Sequence, residues 1–138
     1  MRTISEIIIH CSAITPEQQS SASDIDVWHK KKGWSMIGYH YVVRRNGNIE
    51  KGRPLHKVGA HCRYHNTHSI GICYEGGIDS NGQPADTRTS EQVTSLLRLI
   101  TSLKKQYPKA LILGHRDFNP QKECPCFDVV KEYLELQP

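Results

Sequence analysis

His115 and Cys124, nine residues apart with Lys122 between them, are the residues of this 138-residue chain best placed by type and spacing to do chemistry. His115 follows the apolar run 110–113, and Cys124 stands directly before Pro125. Imidazole and thiolate are both good zinc donors, and a catalytic zinc needs three protein ligands and an open position. This stretch offers two. His10, which ends the apolar run beginning at Ile4, is the candidate third. Lys122 would set a fixed positive charge beside any carbonyl drawn to the metal. The combination points to metal-assisted hydrolysis.

Such a site needs two strand ends and a loop to meet. Residues 4–10 read as a first strand whose continuous apolar end implies burial on both faces. A loop rich in Ser, Thr, Gln and Pro follows to residue 22. Ser23 is the expected N-cap of a first helix, with Asp24 and Asp26 in its first turn, Ile25 and Trp28 facing inward, three lysines at its end and Gly33 as its stop. Residues 39–43 form a second strand, Arg45-Asn46-Gly47-Asn48 a hairpin turn, and 49–51 the return strand. Residues 52–66 look irregular. Residues 69–75 form another strand, with Ile70, Ile72 and Tyr74 on one face. Thr89 and Gln92 make a capping box for the longest helix, which Val93, Leu96, Leu97, Ile100 and Leu103 lay on a sheet. Residues 110–113 are the last strand. A final helix is expected over 125–136, with Phe127, Val130 and Leu134 inward. The fold class is α/β: one domain spanning 1–138, a mixed central sheet of about five strands flanked by three helices, with the metal site at one sheet edge.

Composition excludes several classes. The length suits one core and is short for two domains. Charged residues at 23% and hydrophobic residues at 37% fit a globular chain. No apolar stretch approaches the roughly 20 residues of a membrane span, so no membrane insertion is expected. A net charge of +4 without a basic run interleaved with aromatics argues against nucleic acid. The amino terminus lacks a secretory pattern, implying synthesis in the cytoplasm or prior removal of a leader. Five cysteines at uneven spacing do not make a secreted disulfide framework. Cys73 reads as core, as does Cys11, which alternation turns away from His10.

His10 and His115 both end strands, where α/β sheets place their sites if the two strands run parallel. Cys124 before Pro125 would be the N-cap of the final helix, whose amides and dipole favour a thiolate. Spacing alone equally allows two solvated histidines and a cysteine under a helix end, since no motif such as His-Glu-x-x-His is present.

The sequence resembles the zinc-dependent N-acetylmuramoyl-L-alanine amidases of the type-2 amidase and peptidoglycan-recognition-protein superfamily, and is most similar to the small phage amidases called lysozymes. The resemblance runs from about residue 7 to 135. It is carried by Ile8-Ile9-His10-Cys11-Ser12-Ala13, Trp28-His29-Lys30, Gly33-Trp34, Ile37-Gly38-Tyr39-His40-Tyr41, Val58-Gly59-Ala60-His61, Asn66, Ser69-Ile70-Gly71-Ile72, Gly76-Gly77-Ile78-Asp79, Gly114-His115 and Cys124-Pro125-Cys126-Phe127-Asp128. It implies hydrolysis of the amide between N-acetylmuramic acid and L-alanine, with one catalytic Zn2+ held by His10, His115 and Cys124. It assigns Tyr39 a place near the attacking water, as orienter or proton carrier, and Lys122 a place at the carbonyl. His61 and Asn66 match a segment lining the substrate groove. Glu75 is a weaker candidate base, and Trp34 reads as packing.

Cys126 stands where close phage relatives tend to have serine, which raises the question of which thiol binds the metal. The implied partner is peptidoglycan or a muropeptide, and the chain is expected to act as a monomer. An endolysin without a signal peptide would reach the wall through a holin or equivalent. Two other readings stay open: a binding module that holds peptidoglycan without cutting it, and a cytoplasmic murein-recycling amidase.

Overall fold

In the computed structural model, which describes residues 2–138, the chain builds β1 (Glu6–Cys11), α1 (Ala22–Lys31), β2 (Tyr41–Val43), β3 (Ile49–Lys51), β4 (Ser69–Tyr74), α2 (Ser90–Gln106), β5 (Leu111–Gly114) and α3 (Val129–Glu132). Single 3-10 turns cover Asn66–His68, His115–Asp117 and Leu134–Leu136. The five strands form one sheet in the order β3-β2-β4-β1-β5. The β2–β3 hairpin pair is antiparallel, and β2–β4, β4–β1 and β1–β5 are parallel. The expected α/β class, strand number and helix number are those observed. Among the described residues no helix is long and apolar enough to cross a membrane.

Strand alternation divides the core. Ile7, Ile9 and Cys11 of β1 share a face with Ile70, Ile72 and Tyr74 of β4, and α2 covers that face with Leu96, Leu99, Ile100 and Leu103. The opposite face carries His10, level with Cys73 of β4, and a smaller cluster of Ile25, Ile37, Val42 and Cys73 under α1. Ile7, Ile8 and Ile9 are fully buried, so the middle of β1 is covered on both faces. Burying each such side chain contributes about 1.5–3 kcal/mol.

Several local expectations are corrected. The N-cap of α1 is Ser21, whose hydroxyl accepts from the Asp24 amide while the Asp24 carboxylate accepts from that of Ser21. The buried positions of α1 are Ile25 and His29, and Trp28 is exposed. His29 turns inward because its Nδ1 accepts from the Gly38 amide at 2.9 Å. The Thr89–Gln92 capping box of α2 is present, but Val93 and Leu97 face out. Gln92 and Ser95 face in instead: Gln92 Nε2 donates to the carbonyls of Val43 and Glu75, and Ser95 Oγ donates to that of Gly47. These bonds tie the helix to carbonyls at the strand ends and in the hairpin turn, and they rotate it away from its purely apolar stripe.

The second strand begins at Tyr41, two residues later than expected, although the His40 amide still donates to the Gly71 carbonyl. The hairpin turn is as read, with Gly47 at φ +89°. The expected helix over 125–136 is only Val129–Glu132 plus a 3-10 turn, capped by Asp128. Val129 and Tyr133 are buried, and Leu134 is exposed. Residues 124–127 are irregular and held from the core, where the Tyr74 hydroxyl donates to the Pro125 carbonyl at 2.6 Å.

Candidate active site

Parallel pairing brings the two histidines together. Ile9 stands opposite Gly114 in the β1–β5 register, so His10 and His115 leave adjacent strands side by side. Their rings are 4.7 Å apart. Cys124 closes the group from the loop that follows. Its carbonyl accepts from the Arg116 amide at 2.9 Å, and its Sγ accepts from the Cys11 amide at 3.1 Å. Gly114 allows this closure, because a Cβ there would come within 2.9 Å of Pro125 Cδ and 3.1 Å of Val129 Cγ2.

One donor atom from each of His10, His115 and Cys124 falls within 4.8 Å of the others. His10 is buried and the other two are half-buried. Burial holds both imidazoles below the usual histidine range; neighbouring His61 and His115 add to the effect at His10, and Lys122 adds to it at His115. Both are therefore neutral at pH 7, the form that can ligate. Two neutral imidazoles, a cysteine and a solvent-facing side fit a catalytic zinc centre with an open position.

The thiolate argument from a helix N-cap does not hold, since the helix begins five residues after Cys124. The Cys11 amide supplies the donor instead. Cys126 lies outside the donor group. Its Sγ points to the Gly77 carbonyl at 3.5 Å, and burial, with the Cys11 thiol beside it, pushes its pKa up to about 12.

These residues sit in a groove of about 960 Å³ that also takes in Tyr39, His61, Asn66 and Lys122. The Tyr39 ring lies 5.1 Å from that of His10, with its hydroxyl against the Cys73 thiol. Burial, followed by the nearby thiols of Cys73, Cys124 and Cys11, raises its pKa, so the phenol stays protonated. Lys122 is exposed on the rim. Asn66 lines the groove, but its Oδ1 is occupied: it accepts from the amides of His61 and Cys62, both at 2.9 Å, and so shapes the loop.

His61 has a closer tie to the site than a groove position implies. Its Nδ1 is 2.9 Å from His10 Nε2, and its Nε2 is 3.2 Å from Ser69 Oγ. Burial, then the charges of His40, His115, Arg2 and Arg53, lowers its pKa to about 3. A metal on His10 needs a bare ring nitrogen, and the neutral tautomers that supply one on the side away from His61 have His10 Nε2–H donating to His61 Nδ1 and His61 Nε2–H donating to Ser69 Oγ. That leaves His10 Nδ1 as the bare nitrogen. Metal-ligating histidines are commonly fixed through their other nitrogen in this way.

Sequence reasoning missed His29 and understated Trp34. His29 holds Gly38, the residue before Tyr39, and packs edge-on against Trp34 at 4.5 Å, and both rings line the groove. The buried i, i+4 pair Ile25 and His29 was the available signal. Glu75 is not in the groove: its carboxylate accepts from the amides of Ser20 and Arg45 and from Arg44 Nε, which holds its pKa down against the effect of burial. It is a structural anion.

Comparison with known proteins agrees with this geometry. The family model described as N-acetylmuramoyl-L-alanine amidase matches residues 1–127. The endolysin of Enterobacteria phage K11 is 40% identical over 125 residues, covering 91% of this chain and 82% of the relative. Among solved structures, N-acetylmuramoyl-L-alanine amidase LysC from Clostridium intestinale URNW superposes with a TM-score of 0.81 at 31% identity, covering 97% of this chain and 84% of that one. A tyrosine-to-phenylalanine mutant of Drosophila PGRP-LB, solved in complex with tracheal cytotoxin, gives 0.78 at 26% identity, covering 96% and 81%. With its site at the ends of β1 and β5 and a family match across nearly its whole length, the chain belongs to the N-acetylmuramoyl-L-alanine amidase family.

Proposed function

We propose that this protein is a zinc-dependent N-acetylmuramoyl-L-alanine amidase of the endolysin type, cutting the amide between N-acetylmuramic acid and L-alanine in peptidoglycan. The observation that carries the reading is the convergence of His10, His115 and Cys124 within 4.8 Å in the groove that holds Tyr39 and Lys122. The phage relatives named endolysins and the neighbour solved with tracheal cytotoxin support the substrate class.

One Zn2+ held by those three residues would supply a water of lowered pKa and polarise the scissile carbonyl. Lys122 then meets the negative charge that grows on the carbonyl oxygen, a role in which one donor typically contributes about 3 kcal/mol to the transition state. Tyr39, kept protonated, is a hydrogen-bond donor at neutral pH, which favours orienting the reacting groups over abstracting a proton. His61 fixes the ring of His10. Trp34 and Asn66 form walls for the glycan and peptide. One copy of the chain supplies every residue named, so we take the monomer as the working unit. Made in the cytoplasm, it would reach the wall after holin-type release.

The binding-module alternative is disfavoured by the complete donor set, and a recycling amidase would prefer soluble muropeptides. Purified zinc-loaded protein should release new L-alanine amino termini from intact sacculi, and chelation should stop the release. Protein that pellets with sacculi without releasing them would reduce the function to binding. Release from soluble fragments alone would move it to recycling.

A further inference from the structure

We propose that Glu6, His65 and His68 form a second site for a divalent transition metal of the zinc type, separate from the catalytic group and made from residues the amidase reaction does not use. One donor atom from each of the three lies within 4.8 Å of the others. Glu6 Oε1 is 3.0 Å from His65 Nδ1 and 3.0 Å from His68 Nε2. A tetrahedral ion with bonds of about 2.1 Å needs donors about 3.4 Å apart, so only a small opening is required to admit it. Two imidazoles and a carboxylate suit Zn2+, Co2+, Ni2+ and Cu2+ better than the hard cations.

Secondary structure aims the three groups. His65 caps one 3-10 turn and His68 ends it, and three residues per turn bring positions i and i+3 onto one side. Glu6 begins β1 opposite Ser69, the residue after His68, so strand pairing carries its carboxylate to the histidines. The rings are also held from outside. His65 stacks on Phe118 with centroids 3.8 Å apart, and His68 Nδ1 is 3.3 Å from Thr67 Oγ1. With Nδ1 turned to Thr67, Nε2 is the nitrogen that faces Glu6, and an ion there would take the place of the proton between nitrogen and carboxylate. The side chains are partly exposed, 13% for Glu6, 26% for His65 and 37% for His68, so an ion has access from solvent.

The site shares two chain segments with the catalytic one. Glu6 precedes His10 by four residues on the same face of β1, a rise of about 13 Å. Phe118 follows His115 by three residues. An ion at the second site would tie the start of β1 to the 65–68 turn and, through the stacked ring, to the segment after β5.

The test uses zinc itself. The full protein, equilibrated with micromolar Zn2+ and freed of unbound ion by gel filtration, should carry two zinc ions per chain. The His65→Gln/His68→Gln double variant should carry one and keep its amidase activity within about twofold, and Cys124→Ser should carry one and lose activity. A wild type that holds a single ion, abolished by Cys124→Ser, overturns the proposal and leaves Glu6 as an ion-pair partner of the two histidines. So does a double variant that still holds two. A readout independent of folding in the variant is available with Co2+ added to metal-free wild type that has first taken up one equivalent of Zn2+ in the catalytic group: ring-proton resonances of His65 and His68 should shift paramagnetically, and unshifted resonances sink the idea.

Discussion

The backbone amide of Cys11 donates to the Sγ of Cys124 at 3.1 Å, joining the last residue of β1 to the loop after β5. That contact fixes the sulfur beside the two imidazoles. With the Arg116 amide on its carbonyl, Cys124 is held from both strands that carry the histidines. Cys126 has neither contact and keeps its proton. Cys124→Ser should therefore lose the catalytic zinc, while Cys126→Ser should keep both the ion and most of the activity. Zinc should also shield Cys124 from iodoacetamide, as mass mapping of the alkylated peptides would show. Loss of the ion in Cys126→Ser would reverse the assignment of the two thiols.

Lys122 is exposed on the groove rim and near enough to His115 to depress its pKa. If its ammonium acts on the developing oxyanion, Lys122→Ala should lower kcat about 100-fold or more while KM and zinc content stay close to wild type. Lys122→Arg, which keeps charge but changes reach, should recover part of the loss. A variant whose KM rises while kcat holds would mean that Lys122 binds substrate equally in ground and transition states.

The His61 ring lies against Gly71 of β4, where a Cβ would fall 2.6 Å from ring atoms. This allows its support of His10 to be tested without touching its chemistry. Gly71→Ala should displace the ring and cost 10- to 100-fold in zinc affinity or turnover, as His61→Ala should, the usual range for a lost partner of a metal-ligating histidine. Zinc affinity measured against a competing chelator reads the effect directly. Equal affinities in wild type and both variants would reduce His61 to a groove wall.

The strands and the convergence of His10, His115 and Cys124 were legible because they rest on patterns that tertiary context seldom overrides. The run ending at His10 had to be buried on both faces, and Gly47 had to turn. Other features depended on contacts between distant residues. Gln92 faces inward because its amide bridges the carbonyls of Val43 and Glu75, at the ends of two other strands. His29 displaced Trp28 from the inner face of α1 because Gly38, outside the helix, offered its amide. The final helix was overread because apolar periodicity over 125–136 does not reveal that Cys124 must be held by Cys11 and Arg116. The bond from His61 to His10 left no trace in sequence spacing, since 51 positions separate the two rings.

His40 makes stability fall with acid. It is buried, its Nδ1 accepts from the Gly71 amide at 3.0 Å, and its Nε2 lies 2.9 Å from the Lys57 carbonyl, so the neutral Nε2–H form satisfies both partners. Burial lowers its pKa from 6.5 to about 4; the bond to Lys57 opposes this, and Arg2 and Arg53 reinforce it. A group with a depressed folded pKa that is neutral when deprotonated binds its proton more readily in the unfolded chain. Its stabilisation is therefore fully present above about pH 6.5 and is lost as pH falls toward 4, where the folded form protonates too. Between pH 7 and 5 this one residue should account for about 2 kcal/mol. Urea unfolding of the metal-free protein at both pH values should show the loss, and His40→Gln, less stable at pH 7, should show a smaller one. An unchanged difference in the variant would assign the acid sensitivity to other buried histidines, of which His29, with a pKa lowered to about 4 chiefly by burial, is the next to test.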